Sequence, residues 1–388
     1  MKRIGFITVI LFTFPLLLIA QQYIADFSVA KEEVLRSIPE EYINKARNEF
    51  KIAYQHTSHG THVSYGLFGL QDYQPGDDVL FGITNNNTTE NKLDFHDNVI
   101  ASYAGASDLS SNETAFIQGT RDFLDDPDNI EINVIMWSWC SIEGHNVTEN
   151  YLPGMQTLID EYGVGGSRIG DGEGQRSVPV HFIFMTGHAE TYNIGDGKPK
   201  NQAGLITNYC NSNSNFCLDY YSIDTHDMYD NYWDDTDDNG ASSKYGGNFY
   251  EDFQNAHSVG DGYYENKMSP NGSVVYGDHN TQHITANRKA YAMWWILARL
   301  AGWNGLITKS DKLINNEIDI NFSIKNKQLN FKELTTSATL LVYDITGSLC
   351  MEYEISEPTI SLQNLKSGIY IIKMRFNNKS IVKKIIIE

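Results

Sequence analysis

FKIAYQHTSHGTH, Phe50 to His62, is the stretch from which the rest of the chain can be read. Phe50–Tyr54 is apolar and aromatic, the character of a short buried strand. The second half brings His56, Ser58, His59, Gly60 and His62 into seven residues. THVSYGLFGL overlaps its end and is predicted to open a helix, with Thr61 as the cap. A strand that ends in a polar turn and starts a helix is where open α/β sheets place their chemistry. Such a density of imidazole has no packing purpose, so the cluster reads as a site rather than as ordinary turn residues.

Working outward, residues 31–50 are predicted helical, with Ser37-Ile-Pro-Glu40 fitting a capping box. Residues 71–128 read as long loops with short elements, including a strand over Asn98–Ala104. Glu131–Trp139 is a second buried strand, running into Trp137-Ser138-Trp139-Cys140. Tyr151–Tyr162 has helical spacing. Val178–Met185 is a third strand, followed by Thr186-Gly187-His188-Ala189-Glu190. A helix over Gln202–Asn208 leads to a fourth strand, Phe216–Tyr221, which ends in Ser222-Ile223-Asp224-Thr225-His226. Ala290, Met293, Trp294, Leu297 and Ala301 recur at helical spacing, and Gly302 stops that helix. Strands alternating with helices predict an α/β body, a mostly parallel sheet with helices on both faces. Each strand ends in polar, aromatic or histidine residues, which predicts one shared site along the carboxyl edge.

The chain has 388 residues, 41% hydrophobic and 12% aromatic, enough for a substantial core in one large or two moderate domains. A net charge of −20 argues against nucleic acid as a partner. Lys2 and Arg3 precede an apolar run from Ile4 to Ile19 closed by Ala20, which predicts a signal peptide over residues 1–20 and an exported protein. No later stretch reaches the length of a transmembrane segment. Of the four cysteines, Cys140, Cys210, Cys217 and Cys350, the middle two flank a loop of Asn and Ser and could pair in an oxidising compartment. The α/β catalytic domain is predicted over residues 21–303, a linker over 304–317, and a small all-β domain over 318–388, where short alternating strands and turn signals take over.

That last module resembles the sorting domain of the type IX secretion system of Bacteroidota. The residues that carry the likeness are Val342-Tyr343-Asp344-Ile345-Thr346-Gly347, Leu365-Lys366-Ser367-Gly368-Ile369-Tyr370 and Lys383-Lys384-Ile385. The resemblance implies a β-sandwich tail, the secretion machinery as a partner, and a secreted or cell-surface protein. Residues 50–303 resemble the SGNH-hydrolase-like proteins. The matching segments are His56-Thr57-Ser58-His59-Gly60, Trp137-Ser138-Trp139-Cys140, Met185-Thr186-Gly187-His188, and Asn287-Arg288-Lys289-Ala290 through Ala301-Gly302-Trp303. This implies a three-layer fold. The family pattern has a Gly-Asp-Ser turn for the nucleophile and Asp-x-x-His for the base. Here Ser58 lies in Thr-Ser-His, and neither His279 nor His283 has an aspartate three residues before it.

Two chemistries follow for an extracellular polysaccharide. In the first, a histidine or tyrosine removes the proton α to a uronate carboxylate, giving β-elimination. The layout of signal peptide, one compact body and type IX tail is similar to secreted lyases of marine Bacteroidota, including those that cut ulvan. In the second, Ser58 attacks the ester of an acylated sugar with His279 as base. The incomplete hydrolytic triad places the lyase first. The catalytic residues expected are Ser58, His59, His188 and His279. Substrate contacts are expected from His56, Trp137, Trp139, Glu190, His226 and His283. His181 reads as a core histidine, and His96, His145 and His257 lie in loops without evident partners. Asp235, Asp237 and Asn239 match the start of a calcium loop, with calcium as the possible cofactor; the twelfth position is Gly246, so an EF-hand is not expected. His56, His59 and His62, three apart, form a second metal reading, with zinc. A non-catalytic carbohydrate-binding surface protein is the third functional class.

Overall fold

The computed structural model describes residues 22–190 and 198–305, and in the C-terminal region 322–325, 327–331, 338–344, 349–355, 359–376 and 379–387. The expected signal peptide and most of the expected 304–317 linker lie outside these residues. The chain divides into two compact units, Met1–Lys309 and Ser310–Glu388.

The first unit is built on seven strands: β1 (Ile24–Ala25), β2 (Lys51–Gln55), β3 (Ile83–Asn85), β4 (Leu93–Asp97), β5 (Val134–Trp137), β6 (His181–Met185) and β7 (Cys217–Leu218). Their order is β1-β7-β6-β5-β2-β4-β3, and every pairing is parallel. The chain leaves central β2 toward β3 and β4 on one side and returns to β5 on the other. The carboxyl ends of β2 and β5 therefore flank the topological switch point, where such sheets bind ligands.

Both faces of the sheet are covered, so successive strand residues enter opposite cores. Ile52, Tyr54, Val134, Met136, Ile183 and Met185 pack with the 284–300 helix on one face. Ala53, Ile135, Trp137, Phe182 and Phe184 pack with the 115–125 and 152–162 helices on the other. The helix Ile284–Leu300 is buried along almost its whole length. It lies against Thr61–Leu70 so closely that a Cβ on Gly66 would sit 2.2 Å from the Ala286 carbonyl oxygen. Replacing glycine by alanine inside a helix ordinarily stabilises it by about 1 kcal/mol. Gly66→Ala is expected to reverse that sign and cost about 1–3 kcal/mol, read as a lower denaturation midpoint in urea, because two backbones must separate.

Several local expectations are corrected. Residues 31–50 form two helices, Glu32–Ser37 and Glu40–Glu49, with Pro39 at the second N-cap. Ser37 Oγ turns back to Val34 O instead of closing a capping box. Thr61 is the first helical residue, with Gly60 as N-cap, and its hydroxyl donates to Ser58 O. The predicted Asn98–Ala104 strand is a loop and a short helix, Ala101–Ala104; the strand there is β4, just upstream. β7 is only two residues long because Asp219 caps a helix over Tyr220–Thr225, accepting from Ser222 N. Cys210 and Cys217 are buried free thiols rather than a disulfide. Both belong to the apolar core on one face of the sheet.

The second unit contains a three-stranded antiparallel sheet (Phe322–Lys325, Gln328–Phe331, Thr359–Ser361) and a four-stranded one ordered Leu349–Ile355, Ala338–Asp344, Gly368–Phe376, Lys379–Ile387. Leu329, Leu340, Val342, Ile360, Ile372 and Met374 fill its own core. No helix among the described residues is long and apolar enough to cross a membrane.

Candidate functional site

The turn after β2 carries the site. Ser58–Gly60 forms a single 3-10 turn before the 61–70 helix. Ser58 has φ of 42° and His279 φ of 62°, both in the left-handed region that non-glycine residues occupy at a cost. Gly60 is required by proximity: a Cβ there would lie 2.4 Å from His56 Cβ and 2.6 Å from Ser138 Oγ. The turn is thereby pressed against the end of β5.

Ser58 Oγ and His279 Nε2 share a short hydrogen bond, although 221 positions separate them. The His59 ring stacks between two others, 3.6 Å from His188 and 4.6 Å from His279 between centroids. His59 Nε2 is 3.3 Å from Asp238 Oδ2, and His188 Nε2 is 2.9 Å from Glu190 Oε1. Cys140 Sγ lies 3.8 Å from His59 Nδ1; burial pushes its thiol up, so it stays protonated. The carboxyl ends of β2, β5 and β6 and two later loops therefore meet at one place.

Charge in the cluster is set by burial against contact. Burial favours neutral His188, but the hydrogen bond and charge of Glu190 outweigh it and hold the imidazole above its ordinary range. Burial likewise raises Glu190 and Asp238, yet His188 on the former and His59 on the latter bring both below the usual carboxylate range. Beneath them, burial, with the Lys289 charge, pushes His62 down to about 3. Neutral His62 bonds the Asp278 carbonyl at 2.9 Å, while Tyr220 OH lies 2.7 Å from its Nδ1 and 2.9 Å from His59 O.

The structure brings together Ser58, His59, His188, Glu190 and His279. Other expected contacts sit elsewhere. Trp137 and Trp139 are each 1% exposed; their indole N–H groups donate to Thr120 Oγ1 and Met185 O, so neither offers a face to a sugar. His56 is buried, 2.8 Å from Asp97. His226 stacks on Phe27 at 3.6 Å and bonds Ser222 O. His283 is buried and accepts from Asn266 N. His56 and His62 face these other partners, and the ligand atoms that converge with His59 are those of His188 and Asp238 instead of the His56, His59 and His62 set expected for zinc. Asp235 accepts from Ser242 Oγ and Lys244 N, and Asn239 from Ala241 N, closing the hairpin of Ala241–Ser242 with Gly247–Asn248. His181 packs edge-on to Phe50. The three loop histidines do have partners: His96 lies 2.9 Å from Asp94, His145 3.2 Å from Glu113, and His257 bonds Phe253 O. Asp238, Tyr220 and Asp224 went unrecognised in the sequence. Asp238 stood inside the acidic run assigned to calcium, and nothing local distinguished it.

Asp219, at the end of β7, accepts from Thr186 Oγ1 at 3.0 Å, and burial pushes its carboxyl up to about 7. The folded state thus keeps a proton that the unfolded chain loses near pH 4, and Asp219 makes the protein progressively less stable as pH rises from about 4 to about 7. Asp219 retains partial solvent contact, so the loss expected is about 1–3 kcal/mol. Asp219→Asn keeps the cap, and the difference in melting temperature between variant and wild type should grow in the variant's favour across that window.

Residues 314–388 match the family model described as a secretion system C-terminal sorting domain. The protein is therefore of the class exported by the type IX secretion system to the cell surface or beyond. No curated protein matches the chain.

Proposed function

We propose that this exported protein is a serine hydrolase acting on an ester, with an acylated extracellular carbohydrate as substrate. The hydrogen bond between Ser58 Oγ and His279 Nε2 carries this reading. With Nε2 unprotonated, His279 takes the Ser58 proton as Oγ attacks the acyl carbon, then delivers it to the departing alcohol. Water, deprotonated by the same imidazole, releases the acid and restores Ser58. The 61–70 helix begins three residues after Ser58, and its positive end favours the negative charge that develops there. The geometry favours this order over β-elimination because the serine and its base are already paired.

The stacked, carboxylate-flanked His59 and His188 keep elimination from a uronate as the second reading, since acyl transfer does not use them directly. One panel separates the two. On acetylated and uronate-containing polysaccharides, the full chain should release acetate, and a fluorophosphonate reagent should label the Ser58 peptide. Ultraviolet absorbance from an unsaturated uronate with no labelling would instead establish the lyase, and binding without turnover a carbohydrate-binding protein. Calcium at Asp235, Asp237 and Asn239 would have to compete with the hairpin's own donors; a rise in melting temperature on adding calcium chloride would reveal it.

A further inference from the structure

We infer that His59, His188 and Asp238 form a binding site for a divalent transition-metal ion of the zinc class, a site that goes beyond the acyl-transfer reading and does not depend on it. The ligand atoms of the three side chains lie within 4.8 Å of one another, and they come from three separate segments of the chain. Two imidazoles and a carboxylate leaving a further position open is a donor set that zinc accepts.

The hydrogen-bond partners around the cluster also suit a cation. His188 Nδ1 is 2.8 Å from the Ala189 carbonyl oxygen, which can only accept, so Nδ1 carries the hydrogen. The Nε2 lone pair of neutral His188 would then face Glu190 Oε1 at 2.9 Å, acceptor against acceptor. Asp238 Oδ2 lies 3.3 Å from His59 Nε2, a gap that a proton or a cation can bridge. Asp238 Oδ2 and Glu190 Oε1 are buried and accept no well-aligned hydrogen bond. A proton on His188 Nε2 would satisfy Glu190 only by making that ring a cation stacked on His59, with centroids 3.6 Å apart. One divalent ion can take one nitrogen from each ring together with Asp238. Fixing of a ligand's tautomer by a carbonyl on its other nitrogen, as Ala189 fixes His188, is the usual outer shell of a metal-bound histidine. Glu190 is placed beside the ion as outer-shell acceptor or fourth ligand. Binding requires small rotations of the stacked rings, so that each nitrogen points at the ion.

The full chain, stripped with chelator, should be titrated with zinc chloride by calorimetry and with cobalt chloride by visible absorption. About one equivalent should bind, cobalt should give d–d bands, and Asp238→Asn and His188→Gln should each weaken binding at least about 10-fold. Ser58→Ala should keep the site while losing hydrolysis, so failure of the catalytic reading leaves this result intact. Zinc should also shield His59 and His188 of the unmodified protein from diethylpyrocarbonate, mapped by mass spectrometry, a readout that needs no variant to fold. Absence of binding, or equal affinity in wild type and both ligand variants with no shielding of either histidine, would overturn the site.

Discussion

Under the proposed acyl-transfer mechanism, Ser58→Ala is expected to lower kcat/KM for ester hydrolysis roughly 10³-fold or more, with KM little changed, because Oγ would form a bond only along the reaction path. His279→Ala should cause a loss of similar order. The double variant should be scarcely worse than either single one, since residues that act as one unit are not additive. The φ of 42° at position 58 is strained for alanine as for serine, so Ser58→Gly, which accepts that conformation, provides a second null. Unchanged turnover in both Ser58 variants, with far-ultraviolet circular dichroism intact, would remove the serine from the mechanism. A product carrying an unsaturated uronate in those same variants would transfer the chemistry to the histidines.

Asp224→Asn is expected to cause a large loss of stability beneath the candidate site. Asp224 and Lys289 form an ion pair in which both side chains are fully buried. Asp224 Oδ2 also accepts the Ala189 N–H at 3.1 Å, anchoring the loop that bears His188. Lys289 Nζ lies 4.3 Å from the centroid of the Tyr220 ring, whose hydroxyl bonds the His59 carbonyl. Removing the carboxylate strands an ammonium in the core, at a cost of about 3–5 kcal/mol. For a unit of this size that corresponds to a fall in melting temperature on the order of 10 °C. Asp224→Asn/Lys289→Met removes both charges and should recover most of the loss. If the double variant melts no higher than Asp224→Asn alone, the damage comes from lost packing instead of a stranded charge.

The legible parts of this protein are those where one segment is sufficient. The apolar runs around Ile52, Ile135 and Ile183 announce strands buried on both faces, and their polar ends announce the edge where the candidate site lies. The Ala290-Met293-Trp294-Leu297 spacing announces the long helix, and tail residues such as Leu365-Lys366-Ser367-Gly368 announce export. Three misreadings share one cause. Trp137 and Trp139 look like a sugar platform until the opposing 115–125 and 152–162 helices are in place to bury them. His56 and His62 look equivalent to His59 until the turn at Ser58–Gly60 sends the three rings in different directions. Asp238 looks like one more solvated acid until its loop folds over His59.

By itself, the sequence determined that an exported α/β body precedes a β-rich sorting tail, and that polar groups gather where strands end. It could do so because strand period, helix period and the tail's signature are local properties. Only tertiary structure decided which groups meet: Ser58 with His279, His59 with His188 and Asp238, and Lys289 with Asp224. Those pairings join residues far apart in the chain, and they depend on sheet order and loop return, which no local spacing records.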